Sequence, residues 1–128
     1  MNLLNGKGKV LKFITNRIKS FGPALKGLFW LFKNEGNAQF HLIATIVVVI
    51  AGFYFKVTLF EWILLCFAIG LVITAEALNT AIEKTIDLLH PQKHEKAGLV
   101  KDLAAASVLI ASILAIIVGL LVFIQKLN

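Results

Sequence analysis

Three long apolar runs follow one another along most of this chain. Residues 36–55 contain no Asp, Glu, Lys or Arg, and residues 62–75 and 103–124 contain none either. About 20 apolar residues in a helix are enough to cross a bilayer. The pattern therefore predicts three membrane-spanning helices, at 35–55, 59–89 and 96–126.

The residues before these runs have a different pattern. Within residues 1–34, apolar residues recur every seven positions in two stripes, and lysines form a third stripe with the same period. Positions seven apart lie on one face of a helix, so the pattern predicts an amphipathic helix in the membrane surface. Pro23 has no N–H to donate, and Gly22-Pro23 therefore predicts a break or a kink, with two helical pieces at about 8–21 and 23–34.

The composition also favours a membrane protein. Of the 128 residues, 59% are hydrophobic, and the mean hydropathy is +0.86, which is too apolar for a soluble domain. We expect one membrane domain over 1–128, an all-α integral membrane protein with a surface helix and three transmembrane helices. Cys66 is the single cysteine and lies in an apolar run, so we interpret it as a packing residue.

Basic residues are concentrated in two parts of the sequence. The net charge is +6, and residues 1–34 hold seven basic residues and no acidic ones. A basic arm can bind nucleic acid, but the helical spacing of its apolar residues favours a membrane surface, and we predict no nucleic-acid partner. Four more lysines lie near the loop between the second and third predicted spans, here called the second loop. Only Lys56 and Lys126 lie at the opposite ends of the spans. Because positive residues concentrate on the cytoplasmic side, the N-terminus and the second loop are predicted to be cytoplasmic.

The end of the second predicted span combines carboxylates with an amide. At about 100° per residue, one face about 100° wide holds Glu76, Asn79, Thr80, Glu83 and Asp87. A charged group at mid-bilayer costs on the order of 2.5–3.5 kcal/mol, so such groups at the margin of a span indicate a functional site.

Other charged residues border the same interface. Glu35 opens the first span, Lys101 and Asp102 open the third, and Lys19 and Lys26 lie on the basic arm. Mg²⁺ usually takes one or two carboxylates together with substrate phosphates, and lysines suit phosphate. These are the groups that phosphoryl transfer requires.

Two other classes of protein remain open from these residues. A small proton-coupled transporter would use membrane carboxylates to bind substrate or proton. A non-catalytic membrane assembly protein would use the polar face to associate helices. Small residues at heptad spacing, Ala105, Ser112 and Gly119, predict close helix packing and oligomerisation under every alternative.

The acidic face resembles the signature of a known family. Glu-x-x-Asn-Thr-Ala-Ile-Glu-x-x-x-Asp, from Glu76 to Asp87, is similar to that of prokaryotic diacylglycerol kinases, small three-span membrane lipid kinases. The resemblance covers nearly the whole chain and includes shorter matches at 19–21, 26–27, 34–35, 39–41 and 101–105. The stretches 37–41 and 61–62 look more like the undecaprenol kinase branch, whereas Asn16 and Pro23 depart from the family pattern.

The resemblance implies a homotrimer with composite active sites in the bacterial inner (plasma) membrane. It implies Mg²⁺, ATP as co-substrate and a membrane lipid as acceptor. Glu76 would be the general base on the lipid hydroxyl, and Glu35 and Glu83 would hold the metal. The implied nucleotide-binding residues are Lys19, Asn79, Glu83, Asp87, Lys101 and Asp102. Further candidates for lipid or other contacts are Arg17, Lys26, Gln39 and His41.

The sequence thus predicts a lipid kinase that transfers the γ-phosphoryl group of MgATP to a lipid alcohol at the cytoplasmic interface. The acceptor would be undecaprenol or diacylglycerol, and the first-span motif favours undecaprenol. Both lipids present a terminal hydroxyl, so the catalytic residues alone do not separate them.

Overall fold

Four α-helices make up the fold, and the computed structural model describes residues 3–127, with side chains from residue 8 onward. They are α1 (Leu3–Asn34), α2 (Gly36–Tyr54), α3 (Leu59–Leu89) and α4 (Glu95–Ile124). These residues include no strand, and α2, α3 and α4 are each long and apolar enough to cross a membrane. The predicted all-α fold with three apolar spans is confirmed. The side chain of Lys7, counted above in the basic arm, lies outside the described part.

Helix α1 belongs to the first of two compact units, residues 1–34. It is one continuous helix with Pro23 in its interior, so the predicted division into two helical pieces is wrong. Proline removes a single backbone hydrogen bond, the one to the carbonyl of Lys19. The heptad spacing of apolar residues is the same on both sides, which favours one helical register throughout.

Helices α2, α3 and α4 form the second unit, residues 35–128. Short connections join them, so consecutive helices run antiparallel. Helix α3 packs mainly along α4 and to a smaller extent along α2. Two apolar clusters form the core, and their buried members are Val57, Leu65 and Val122 in one and Val72, Ala75 and Ala111 in the other.

Small residues of α4 are buried at heptad spacing, at Ala97, Ala104 and Ala111. This stripe lies one position before the predicted one, because spacing fixes the period of a stripe but not its phase. Ala105 is exposed in the single chain, and its role in packing between subunits stays a prediction.

The bundle end that carries Thr58, Glu61 and Lys126, here called the capping end, is held by polar contacts. Thr58 and Glu61 form a capping box: Glu61 Oε2 accepts from the Thr58 N–H at 2.6 Å, and Thr58 Oγ1 accepts from the Glu61 N–H at 3.3 Å. Lys126 Nζ lies 2.9 Å from the same Glu61 oxygen. These contacts join the start of α3 to the end of α4 and so fix the two helices relative to each other.

Candidate active site

The acidic face of α3 passes from the interior of the bundle to its surface. Glu76, Asn79 and Thr80 are 2%, 5% and 7% exposed. Glu83 is half-buried, and Asp87 is exposed. At 1.5 Å per residue, Glu76 and Asp87 are separated by about 16 Å along the helix. The face therefore offers a shielded carboxylate at one end and a water-facing carboxylate at the other.

Glu76 meets α2 at His41. Glu76 Oε1 lies 3.2 Å from His41 Nε2, and the two side chains are 3% and 19% exposed. Apart from this contact, Glu76 Oε1 has no hydrogen-bond partner within residues 8–127. A shielded carboxylate with a free lone pair can accept the proton of a hydroxyl that is brought to it. His41, a sequence candidate, is thus in contact with the predicted base.

Asn79 and Glu83 form a pair one turn further along α3. Asn79 Nδ2 donates to Glu83 Oε1 at 3.1 Å, which fixes the orientation of both side chains. Asn79 Oδ1 is buried and lacks a hydrogen-bond partner among the described residues. An amide oxygen and a carboxylate are thereby presented side by side.

Glu35 is held by a lysine that the sequence interpretation did not place in the site. Glu35 is the N-cap residue of α2, but its side chain makes no capping hydrogen bond. Its Oε1 instead lies 3.1 Å from Lys84 Nζ on α3. Sequence reasoning counted Lys84 only as a positive charge. The excess of acidic residues near Glu35 and Glu83 was the sequence signal that a basic residue such as Lys84 would pair with one of them.

The outer end of the acidic face is tied to α4. Asp87 Oδ1 accepts a hydrogen bond from Lys101 Nζ. Lys101 also lines an open cavity of about 410 Å³ at the α3–α4 connection. The rings of His90 and His94, which line the same cavity, are stacked with centroids 5.3 Å apart. Asp102 is exposed on α4 next to Lys101.

The carboxylate and amide oxygens at this end of the bundle suit a hard cation. Among the described side chains, no group of three His, Cys, Asp or Glu residues is placed to hold a metal ion together. Glu35, Glu76 and Glu83 lie at the same end of the bundle, and carboxylates of like charge repel one another. A divalent cation would relieve the repulsion. Since Mg²⁺ usually takes one or two protein carboxylates and completes its shell with phosphate oxygens and water, two such ligands are enough.

The structure does not bring every predicted site residue together. Arg17, Lys19 and Lys26 are exposed on α1 in the first unit, where the Arg17 guanidinium lies 5.0 Å from the centre of the Phe13 ring. Gln39 is exposed in the first turns of α2. The participation of these four residues in the site stays a prediction.

Three apolar spans with a graded acidic face at one end define a small α-helical membrane protein whose site suits cations and phosphates. The chain belongs to the prokaryotic diacylglycerol kinase family, whose family model matches residues 22–123. The predicted family is therefore confirmed, and it decides among the three open classes in favour of a membrane lipid kinase.

Curated relatives agree with this assignment. The chain is 39% identical over 109 residues to an undecaprenol kinase of Bacillus subtilis, covering 85% of this chain and 89% of that protein. It is 35% identical over 103 residues to a diacylglycerol kinase of Escherichia coli K12, covering 80% and 84%. It is 34% identical over 98 residues to a diacylglycerol kinase of Haemophilus influenzae, covering 77% and 83%.

Proposed function

We propose that this protein transfers the γ-phosphoryl group of MgATP to the hydroxyl of a membrane lipid alcohol. The observation that carries the proposal is Glu76, a carboxylate buried among apolar helices whose Oε1 has no hydrogen-bond partner among the described residues apart from the 3.2 Å contact with His41. Undecaprenol is the favoured acceptor and diacylglycerol the second, because the relative named undecaprenol kinase is 39% identical and those named diacylglycerol kinase are 35% and 34%.

The reaction needs a base next to the lipid hydroxyl. Glu76 accepts the hydroxyl proton while the lipid oxygen forms a bond to the γ-phosphorus. The bond from the γ-phosphorus to the bridging oxygen breaks, and ADP leaves with that oxygen. Because water has little access to the side chain of Glu76, which is 3% exposed, competing hydrolysis of ATP is disfavoured.

The remaining polar groups hold the nucleotide. Glu35 and Glu83 would bind Mg²⁺, which neutralises charge on the phosphates when it is present. Lys84 and Asn79 keep these two carboxylates in place, at 3.1 Å in each case.

Further out, Asp87, Lys101 and Asp102 would contact the nucleoside end of ATP, next to the cavity of about 410 Å³ that Lys101 lines. Lys19 would approach the phosphates from α1. Asn79 Oδ1, which the described residues leave without a partner, is free to bind a phosphate-bound water.

Topology and assembly belong to the same proposal. In the sequence, seven basic residues precede α2 and four lie near the α3–α4 connection, against Lys56 and Lys126 near the opposite ends of the spans, so the Glu35 end of the spans would face the cytoplasm of a bacterial cell, where ATP is available. Many large apolar side chains of α2, α3 and α4 are exposed in the single chain. A homotrimer with shared active sites would cover some of them and leave the others to lipid.

The test is a phosphorylation assay with the purified full chain in detergent micelles. Radiolabelled γ-phosphate from ATP is followed into undecaprenol or diacylglycerol, with and without Mg²⁺. We expect magnesium-dependent phosphorylation of at least one lipid, with higher kcat/KM for undecaprenol. Phosphorylation of neither lipid by folded protein would refute the proposed function.

A further inference from the structure

A small cavity lies inside the bundle, between α2, α3 and α4. Its volume is about 90 Å³. It separates the two apolar clusters, since Leu65 of one and Val72 of the other both line it. Half of its ten lining residues are small and come from all three helices, namely Ala44, Thr45, Ala68, Ala115 and Gly119.

This cavity lies beside the candidate active site. His41 lines it and also contacts Glu76 at 3.2 Å. From His41 the wall follows α2 to Val48, a length of about 10 Å at 1.5 Å per residue. Ala44 is exposed in the single chain, so the cavity reaches the side of the bundle there. A lipid chain could therefore enter laterally and bring its head to Glu76.

The wall of the cavity is almost entirely apolar. The Thr45 hydroxyl already donates to the His41 carbonyl at 2.8 Å, so it presents no unsatisfied donor to the cavity. Water needs two to four polar partners in a buried site, which this wall does not supply below His41. An apolar ligand is therefore favoured over water.

The size of the cavity restricts the ligand to a single chain. A cavity of about 150 Å³ in another protein is large enough to hold one benzene molecule. The smaller volume here, about 90 Å³, accepts a segment of only a few carbons. In diacylglycerol, two ester-linked chains begin within two carbons of the hydroxyl-bearing carbon. In a polyprenol, that carbon leads into one chain.

We propose that this cavity binds the chain segment next to the hydroxyl of a single-chain lipid alcohol, so that the enzyme selects a polyprenol over diacylglycerol. The inference rests on the proposed function and adds a selectivity site to it. The hydroxyl lies at Glu76, the first carbons lie between Ala44 and Gly119, and the rest of the chain leaves past Ala44 into the bilayer.

Gly119 offers a direct test. A Cβ added at Gly119 meets no heavy atom within 4 Å, so Gly119→Val fills the cavity without an immediate collision. Gly70 is the matched control, because it lies in a helix, also has open space around its added Cβ, and is outside this cavity. Ala115→Val is a second filling variant from the same helix as Gly119, used if Gly119→Val does not fold.

Initial rates are measured for each variant with farnesol, undecaprenol and dioctanoylglycerol at saturating MgATP. We expect the unmodified enzyme to prefer the two polyprenols. Gly119→Val should raise KM for both polyprenols by about tenfold or more, the effect of displacing roughly two methylene groups, and leave KM for ATP within about twofold. Gly70→Val should change neither. Circular dichroism confirms that each variant is folded.

The outcomes separate the two proposals. Phosphorylation of no lipid by the unmodified enzyme would refute the kinase function itself. Equal use of dioctanoylglycerol and farnesol, an unchanged polyprenol KM in the folded filling variant, or an equal rise in Gly70→Val would overturn the chain site and leave the kinase function standing.

Discussion

A substitution at Gly52, which contacts Trp62, tests how closely α2 and α3 pack at the capping end. A Cβ added to Gly52 would lie 2.5 Å from Trp62 Cη2 and 2.8 Å from its Cζ2, closer than real side chains approach. The indole ring also contacts that of Phe53, with centroids 5.0 Å apart, so a shift of the indole disturbs this ring contact as well. Gly52→Ala must therefore shift the ring or separate the helices.

The size of the effect follows from two opposing terms. Overpacking a close contact of this kind costs typically about 1–3 kcal/mol. Replacing glycine by alanine within a helix contributes roughly 0.5–1 kcal/mol in the other direction. Gly70→Ala has the second term without the first, since nothing lies within 4 Å of its added Cβ. The difference between the two variants therefore isolates the steric cost, about 1–3 kcal/mol.

The assay is reversible unfolding in mixed micelles of mild detergent and dodecyl sulfate, followed by circular dichroism. We expect Gly70→Ala to unfold at the same denaturant fraction as the parent or a higher one, and Gly52→Ala to unfold earlier. Trp62→Leu should remove the difference, because a smaller side chain leaves room for the added methyl group. Equal stability of the two alanine variants would refute the close approach of α2 to α3.

Two further predictions concern the ends of α3. Thr58→Ala should lower the free energy of unfolding by about 1 kcal/mol in the same micelle assay, because the start of α3 loses its cap, and no loss would contradict the capping box. Asp87→Asn and Lys101→Met should each raise KM for ATP severalfold with little change in kcat, and the free-energy effect on ATP KM in the double variant should not exceed the sum of the two single effects. The control Lys96→Met, at an exposed position, should leave KM for ATP unchanged. An unchanged ATP KM in both single variants would remove this pair from the nucleotide site.

Much of the fold could be predicted from the sequence because membrane spans have a simple signature. The charge-free runs indicated three apolar helices, and the helical period placed Glu76 and Asp87 on one face. Pro23 was over-weighted as a helix breaker, since the loss of a single backbone hydrogen bond does not end a helix whose apolar pattern continues on both sides.

Contacts between helices were the harder part. The pairing of Glu35 with Lys84 depends on how α2 and α3 are rotated about their own axes, which residue spacing does not fix. The buried stripe of α4 was displaced by one position for the same reason. The capping box was not predicted, although the spacing Thr58-x-x-Glu61, which satisfies two N–H groups of a helix start, is its sequence signal.

The most direct test of the central claim is the turnover of Glu76→Gln. The substitution keeps the size of the side chain but removes a basic oxygen, so transfer to the lipid should fall at least about 100-fold while ATP binding, measured by calorimetry, is retained. Glu61→Gln makes the same change at the start of α3, outside the candidate active site. This variant should keep the turnover of the parent when it is assayed at a low temperature, at which it stays folded. Turnover of folded Glu76→Gln within a few-fold of the parent would contradict the assignment of Glu76 as the base.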